Sequence, residues 1–364
     1  MTSSLKTALR LLVGTLAFGA AIGCGGGPQY GAPATGGATT GVVPPNDSGP
    51  GDDMPITEAP KPPKATGNPF EGVKLWVDPE SNAMLRSKAL MASQPENAKL
   101  IHDKIAVYSQ ALWLGEWNSN VYRKVRYVVD LAAQDKSLPI FVAYNLPGRD
   151  CGNESAGGLK TGDMYKRWIR KIAAGIGDRA AVVVLEPDAL GLLEKADAKD
   201  PSKPCLTKEQ QEERLALLHD AVKVLRQNPK TIVYIDGAHS KWDPVDKIAD
   251  RLQRAGVEDA HGFAINTSNY RANEELLPYG KAVSAKLGGA HFVVDTSRNG
   301  NGPLGVEWCN PKGRKLGLPP NTNTGDPLID AYLWLKRPGE SDGACNGGPQ
   351  AGAFWDEQAI ELAK

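Results

Sequence analysis

The sequence predicts an α/β fold, a barrel of parallel strands, on two observations. From about Asn68 onward short apolar runs alternate with longer amphipathic ones, the pattern of strand, helix and parallel strand. Polar residues then gather directly after those runs, and in parallel α/β barrels such strand ends share the face that carries the chemistry. The runs are Leu75–Val77, Ala111–Leu114, Ile140–Tyr144, Ala181–Leu185, Thr231–Ile235, Gly262–Ile265, Phe292–Val294 and Ala331–Leu335. They are nearly continuous in apolar residues, which implies burial on both faces. Between them "NAKLIHDKIAVYSQ", "YRKVRYVVDLAAQ", "DMYKRWIRKIAAGI" and "EQQEERLALLHDAVKVLRQ" carry helical spacing.

Asp78 follows the first run. Asn145 follows the third, and after the turn "LPG" come Arg149 and Asp150. Glu186 and Asp188 follow the fourth, then in turn Asp236, Asn266, Asp295, and Lys336 with Glu340 and Asp342. A single case has a plain structural explanation, since Asp188 could cap the next helix. That explanation does not cover seven of the eight strand ends.

The 364 residues suffice for one large domain or two ordinary ones. The 42 basic and 42 acidic residues cancel, and no run of Lys and Arg occurs, so a polyanionic ligand such as nucleic acid is not expected. Eight Trp and ten Tyr against six Phe favour rings with a polar edge, suited to amphipathic ligands such as sugars. The Gly-rich stretch 23–27 does not stand between a strand and a helix, so no nicotinamide or phosphate loop is predicted.

Residues 1–23 read as an export signal, with Lys6 and Arg10 before the uncharged "LLVGTLAFGAAIG", a run too short to span a bilayer. Ala21-Ile22-Gly23-Cys24 resembles a bacterial lipoprotein cleavage box, with Ala21 where Leu is usual; it implies a lipid on Cys24, and ordinary cleavage after Gly19 or Gly23 is the alternative. Residues 24–66 read as that Cys followed by a disordered Gly/Pro/Thr linker, and 67–364 as the folded domain. Localisation is therefore expected at the cell envelope or outer surface, or in the medium. The remaining Cys151, Cys205, Cys309 and Cys345 allow three pairings. None makes a zinc pattern, and two disulfides in an oxidising compartment are expected, with no metal and no cofactor.

In order and approximate spacing, "VAYNLPGRDC", "VVLEPDALG", "YIDGAHSKW", "GFAINTSNY", "VVDTSRNGNGP", "EWCNPKGR" and "LKRPGESDG" resemble glycoside hydrolase family 6, the cellulases, over nearly all of 69–364. The resemblance implies a distorted TIM-like (β/α) barrel of about seven main parallel strands in a single catalytic domain. One of the eight runs should then be peripheral, and Ala111–Leu114 is the expected one. It implies cleavage of β-1,4-glucan with inversion, Asp188 giving a proton to the leaving oxygen and Asp150 holding Asp188 protonated until needed. Asp342 is the candidate base, kept ionised by Lys336 and Arg149. A water chain organised by Tyr144 and Ser155 is the alternative route for that proton, and Asp236 supports the charge network.

Trp113, Trp242 and Trp308 match sugar-stacking positions of the family, and His239, Asn266, Asn269, Lys336 and Glu340 match polar sugar contacts. The resemblance also implies the pairs Cys151–Cys205 and Cys309–Cys345. The roles make physical sense: a glycosidic oxygen must be protonated near neutral pH, where an ordinary Asp is ionised, so the acid's pKa must be raised by burial or a second carboxylate. Inversion also needs room for a water, roughly 6.5–9.5 Å between carboxyls.

Only about twenty residues separate "NTSNY" from "HFVVDTS", too few to roof a cleft, and Val245 in "SKWDPVDK" stands where cellobiohydrolases carry a second Trp. An open groove and an endoglucanase follow. A cellobiohydrolase of the same family and a non-catalytic glucan-binding surface protein are the alternatives. The expected partner is the glucan, with the protein a monomer that touches a membrane only through its lipid.

Overall fold

The computed structural model describes residues 49–364. The export signal, Cys24 and the first part of the linker lie outside them. Seven strands, β1 (Leu112–Leu114), β2 (Ile140–Ala143), β3 (Ala181–Leu185), β4 (Thr231–Asp236), β5 (Gly262–Ile265), β6 (His291–Asp295) and β7 (Ile329–Leu333), pair in parallel in chain order. The order β1 to β7 with helical crossovers makes a curled sheet, the distorted barrel expected. At its seam the Ala111 N–H donates to the Trp334 carbonyl at 2.9 Å, and the Trp113 indole N–H to the Leu335 carbonyl at 2.8 Å.

The period of two along each strand sorts side chains into two cores. Ile140, Val142, Val182, Val184, Tyr234 and Leu333 fill the barrel interior, whereas Phe141, Val183, Leu185, Val233, Phe263 and Val294 pack against the helical layer. Both sets are apolar, hence the unbroken runs. The helices are α1 (Asn82–Leu90), α2 (Pro95–Ile101), α3 (Val121–Gln134), α4 (Gly162–Ile176), α5 (Lys208–Leu225), α6 (Val245–Arg254), α7 (Asn273–Lys286) and α8 (Asp356–Ala363). Thr161 caps α4 by accepting from the Met164 N–H, and Thr207 with Gln210 forms a capping box on α5. "NAKLIHDKIAVYSQ" is helical in two parts, α2 followed by a π-helical turn over His102–Ala106.

Two expectations are corrected. Ala111–Leu114 supplies β1, paired residue for residue with β2, while Leu75–Val77 is the peripheral run, joined to the sheet by one bridge from Leu75 to Leu138. Both runs are short and apolar, and pairing alone separates them. The second correction concerns residues 52–63, expected to be flexible. They lie against α4 and α5: Asp52 pairs with Lys171, Glu58 with Lys223 at 2.8 Å, and the carbonyls of Thr57 and Pro63 accept from Arg170 at 2.7 Å and Arg226 at 2.6 Å. Four prolines leave this strap few N–H groups to satisfy, and arginines take its carbonyls.

Candidate active site

The loops after the strands hold unusual backbone. Asp150 (φ 60°), Glu186 (52°), Asp188 (71°), Ala238 (57°), Asn266 (68°) and Ser268 (62°) are all left-handed. Each such residue costs on the order of 1–3 kcal/mol, a strain that clusters at functional sites. These loops wall a groove of about 1140 Å³ lined by Asp150, Asp188 and Asp342 together with Trp113, Trp242, Trp308 and the newly seen Trp117.

Asp188 sits in the groove wall, its Oδ2 accepting from the Tyr144 hydroxyl at 3.1 Å and its own N–H donating to Asp236 at 3.3 Å. Burial pushes its carboxyl well above the usual Asp range, and the charges of Asp150 and Asp236 push it further. Asp150 is itself raised by burial, although its carboxylate accepts from the Ser155 N–H at 2.7 Å. Beneath them the fully buried Asp236 is pushed to about 6 and Glu186 to about 7, in both cases by burial first. Tyr144 thus contacts the candidate acid directly, and Ser155 braces its neighbour through backbone.

Asp342 is treated oppositely. Burial alone would raise it, but Arg298 at 2.9 Å, Lys336 at 3.4 Å and the Asn310 N–H at 3.0 Å outweigh that and hold its carboxyl below the usual range. The Tyr270 hydroxyl donates to it as well, at 3.0 Å. The second cation on Asp342 is therefore Arg298, not Arg149. Arg149 is engaged elsewhere, by Glu116 at 2.6 Å and the carbonyls of Tyr144 and Ser155, each at 2.8 Å. Arg298 was within reach of the sequence, inside "VVDTSRNGNGP", but nothing in that loop marks which carboxylate it meets.

Of the other predicted contacts, Asn269, Lys336, Glu340 and His239 line the groove with the three tryptophans. The Trp113 ring stands edge-on to Tyr144 at 5.2 Å, and Trp242 packs on His239 at the same distance. Burial, then Arg271, lowers His239 to about 4; its Nδ1 accepts the Lys241 N–H at 3.3 Å, which leaves Nε2 as the donor of a neutral ring. One residue expected at the sugar is not on the groove surface, and Asp236 lies where the expected charge network needs it. Asn266 is fully buried and donates to the Asp295 carbonyl at 2.8 Å, so it braces the loop after β5, and Asp236 lies under Asp188.

Two disulfides form as the resemblance implied, Cys151–Cys205 and Cys309–Cys345. Each fixes a loop that carries a groove residue, Asp150 beside the first and Trp308 beside the second.

The arrangement sets a carboxyl whose pKa is raised and one whose pKa is lowered on the walls of a trough edged with indoles, suited to acid-assisted hydrolysis of a sugar chain. Comparison with known proteins points the same way. The family model described as glycosyl hydrolases family 6 matches residues 70–364. Endoglucanase A of Thermobispora bispora is 42% identical over 295 residues, covering 79% of this chain and 61% of its own length. A probable 1,4-beta-D-glucan cellobiohydrolase C of Neosartorya fischeri is 30% identical over 326 residues, covering 77% and 71%. The solved endoglucanase Cel6 from Mycobacterium tuberculosis, in complex with methyl-cellobiosyl-4-deoxy-4-thio-beta-D-cellobioside, superposes with a TM-score of 0.75 at 40% identity, covering 81% of this chain and 98% of that one. The chain thus spans about three fifths of the Thermobispora relative.

Proposed function

Because the chain belongs to glycosyl hydrolases family 6, we propose that it is an inverting endo-β-1,4-glucanase acting on cellulose or a related β-glucan. The observation that carries this reading is Asp188, a carboxyl in the groove wall whose pKa is raised by burial, Asp150 and Asp236. In the proposed reaction Asp188 gives its proton to the glycosidic oxygen as the bond to the anomeric carbon breaks. A water attacks that carbon from the opposite face and loses a proton to Asp342, directly or through a water chain. The depressed pKa of Asp342 and the cations around it support its role as the ionised partner. General acid–base groups of this kind contribute on the order of 10²–10⁴-fold each, so Asp188→Asn should lose activity on a soluble β-glucan by at least that lower factor. Unchanged hydrolysis would remove Asp188 from the role.

The endo mode is supported by the short connections around the groove and by greater identity to endoglucanases than to the cellobiohydrolase. Viscosity of a soluble cellulose derivative should fall quickly while few reducing ends appear; the reverse would favour the cellobiohydrolase. NMR of the first product should show the α-anomer. The same reading takes the protein as exported and held by a lipid on Cys24, which the N-terminal sequence and two disulfides support.

A further inference from the structure

Among the four groove tryptophans, Trp117 is the one not matched above to a sugar-stacking position of the family. Trp117 follows β1, is 52% exposed and belongs to no hydrophobic cluster of the described residues, so it is not a core residue. Yet it is held. The turn Gly115–Asn118 is closed twice, by the Asn118 N–H on the Gly115 carbonyl and by the Gly115 N–H on the Asn118 side-chain oxygen, both at 3.0 Å. The indole lies so near Gly115 that a methyl group there would collide with the ring. Arg149 supports it from another side, its guanidinium carbon 5.3 Å from the ring centroid and 4.6 Å from that of Tyr144. That guanidinium cannot wander, since the Glu116 carboxylate and two backbone carbonyls occupy its donors.

We propose that the Trp117 indole is a further glucosyl-binding platform in the groove wall, stacking on a pyranose of a β-1,4-linked chain farther from Asp188 than the unit Trp113 meets. The contacts give the order. Tyr144 touches Asp188, Trp113 packs directly on Tyr144, and Trp117 is separated from Tyr144 by Arg149. A pre-positioned indole loses little freedom when a sugar's apolar face covers it, and the half-exposed ring has that face to offer. The pairing with Glu116 holds Arg149 in place, and its guanidinium attracts the ring's π-face. Enzyme and substrate are those of the glucanase reading, on which this inference rests.

The test compares chain lengths. With cellotetraose and cellohexaose as substrates, Trp117→Ala should lower kcat/KM for the hexaose about three- to tenfold more than for the tetraose, the size of an aromatic stacking contact. Trp117→Tyr should recover most of that difference, and Gly115→Ala, which displaces the ring, should reproduce it. Equal losses at both lengths, or none, would overturn the platform. Calorimetry of cellohexaose binding to Asp188→Asn, with and without Trp117→Ala, reads the same contact without turnover. An unchanged affinity there overturns the inference by itself, whereas wild-type protein that binds cellohexaose without cutting it would overturn only the glucanase reading.

Discussion

At the residue scale the site works by giving similar carboxyls opposite surroundings. Asp188 meets burial and two like charges, whereas Asp342 meets Arg298 and Lys336. The low pKa of Asp342 therefore depends on a side chain that never reaches the substrate. Arg298→Met should raise that carboxyl and move the acidic limb of the kcat profile to higher pH. It should also lower stability by about 3–5 kcal/mol, the usual consequence of leaving a buried charge with fewer partners. An acidic limb that stays in place, measured from pH 3 to 7, would separate Asp342 from the base role. The acids themselves were legible because carboxylates at successive strand ends have no common structural explanation. Arg149 and Asn266 were misread for the same physical reason: polar atoms at a strand end can turn back onto the backbone of their own loops, and sequence does not record which way they turn.

At the scale of elements, the β2 and β3 ends are stapled together. The Glu186 carboxylate accepts from the N–H groups of Asn145 and Leu146 at 2.9–3.1 Å. Arg214, from α5, donates to the carbonyls of Pro147 and Gly148 at 2.9 and 3.0 Å and to that of Ala189 at 3.4 Å. The staple sets Asp150 against Asp188.

Its buried acid leaves a pH signature. Burial pushes the Glu186 carboxyl up to about 7 against 4.5 ordinarily, so the native state holds the proton more tightly and stability is lost as pH rises through that window. The full effect is about 3 kcal/mol at 1.36 kcal/mol per unit. His239, lowered to about 4, acts in the opposite sense over pH 4–6.5, so the net curve hides both. Glu186→Gln keeps an acceptor oxygen and removes the titration. The stability of wild type relative to this variant, from urea unfolding, should therefore fall between pH 4.5 and 7. A flat difference would show that Glu186 is not protonated in the native state.

Three of the four quoted helices lie where their spacing indicated, while "NAKLIHDKIAVYSQ" is α-helical only to Ile101 and passes through a π-helical turn to Ala106. The strand assignment of Ala111–Leu114 against Leu75–Val77 was not legible, because runs this short have no usable period.

At the scale of the whole molecule, the fold class followed from the alternation of runs, and the groove from the polar ends they share. The seam between β7 and β1 and the strap along α4 and α5 were not legible. Both depend on scattered hydrogen bonds and ion pairs between distant segments, which leave no periodic trace. The disulfides act at this scale too, closing loops with sequence separations of 54 and 36 residues around the groove. Removing the first by Cys151→Ala with Cys205→Ala should lower stability by about 2–5 kcal/mol and reduce kcat through the freed Asp150 loop. Unchanged thermal unfolding and kcat would mean that the bridge does not hold the acid pair.

The carboxyl of Asp188 is held well above the usual Asp range because it is buried beside Asp150 and Asp236. Carboxyl-carbon NMR with ¹³C-labelled aspartate, assigned by difference against Asp188→Asn, measures it. Its midpoint should lie well above 3.8, and Asp150→Asn should move it down. A midpoint near 3.8, or one indifferent to Asp150, would contradict the account.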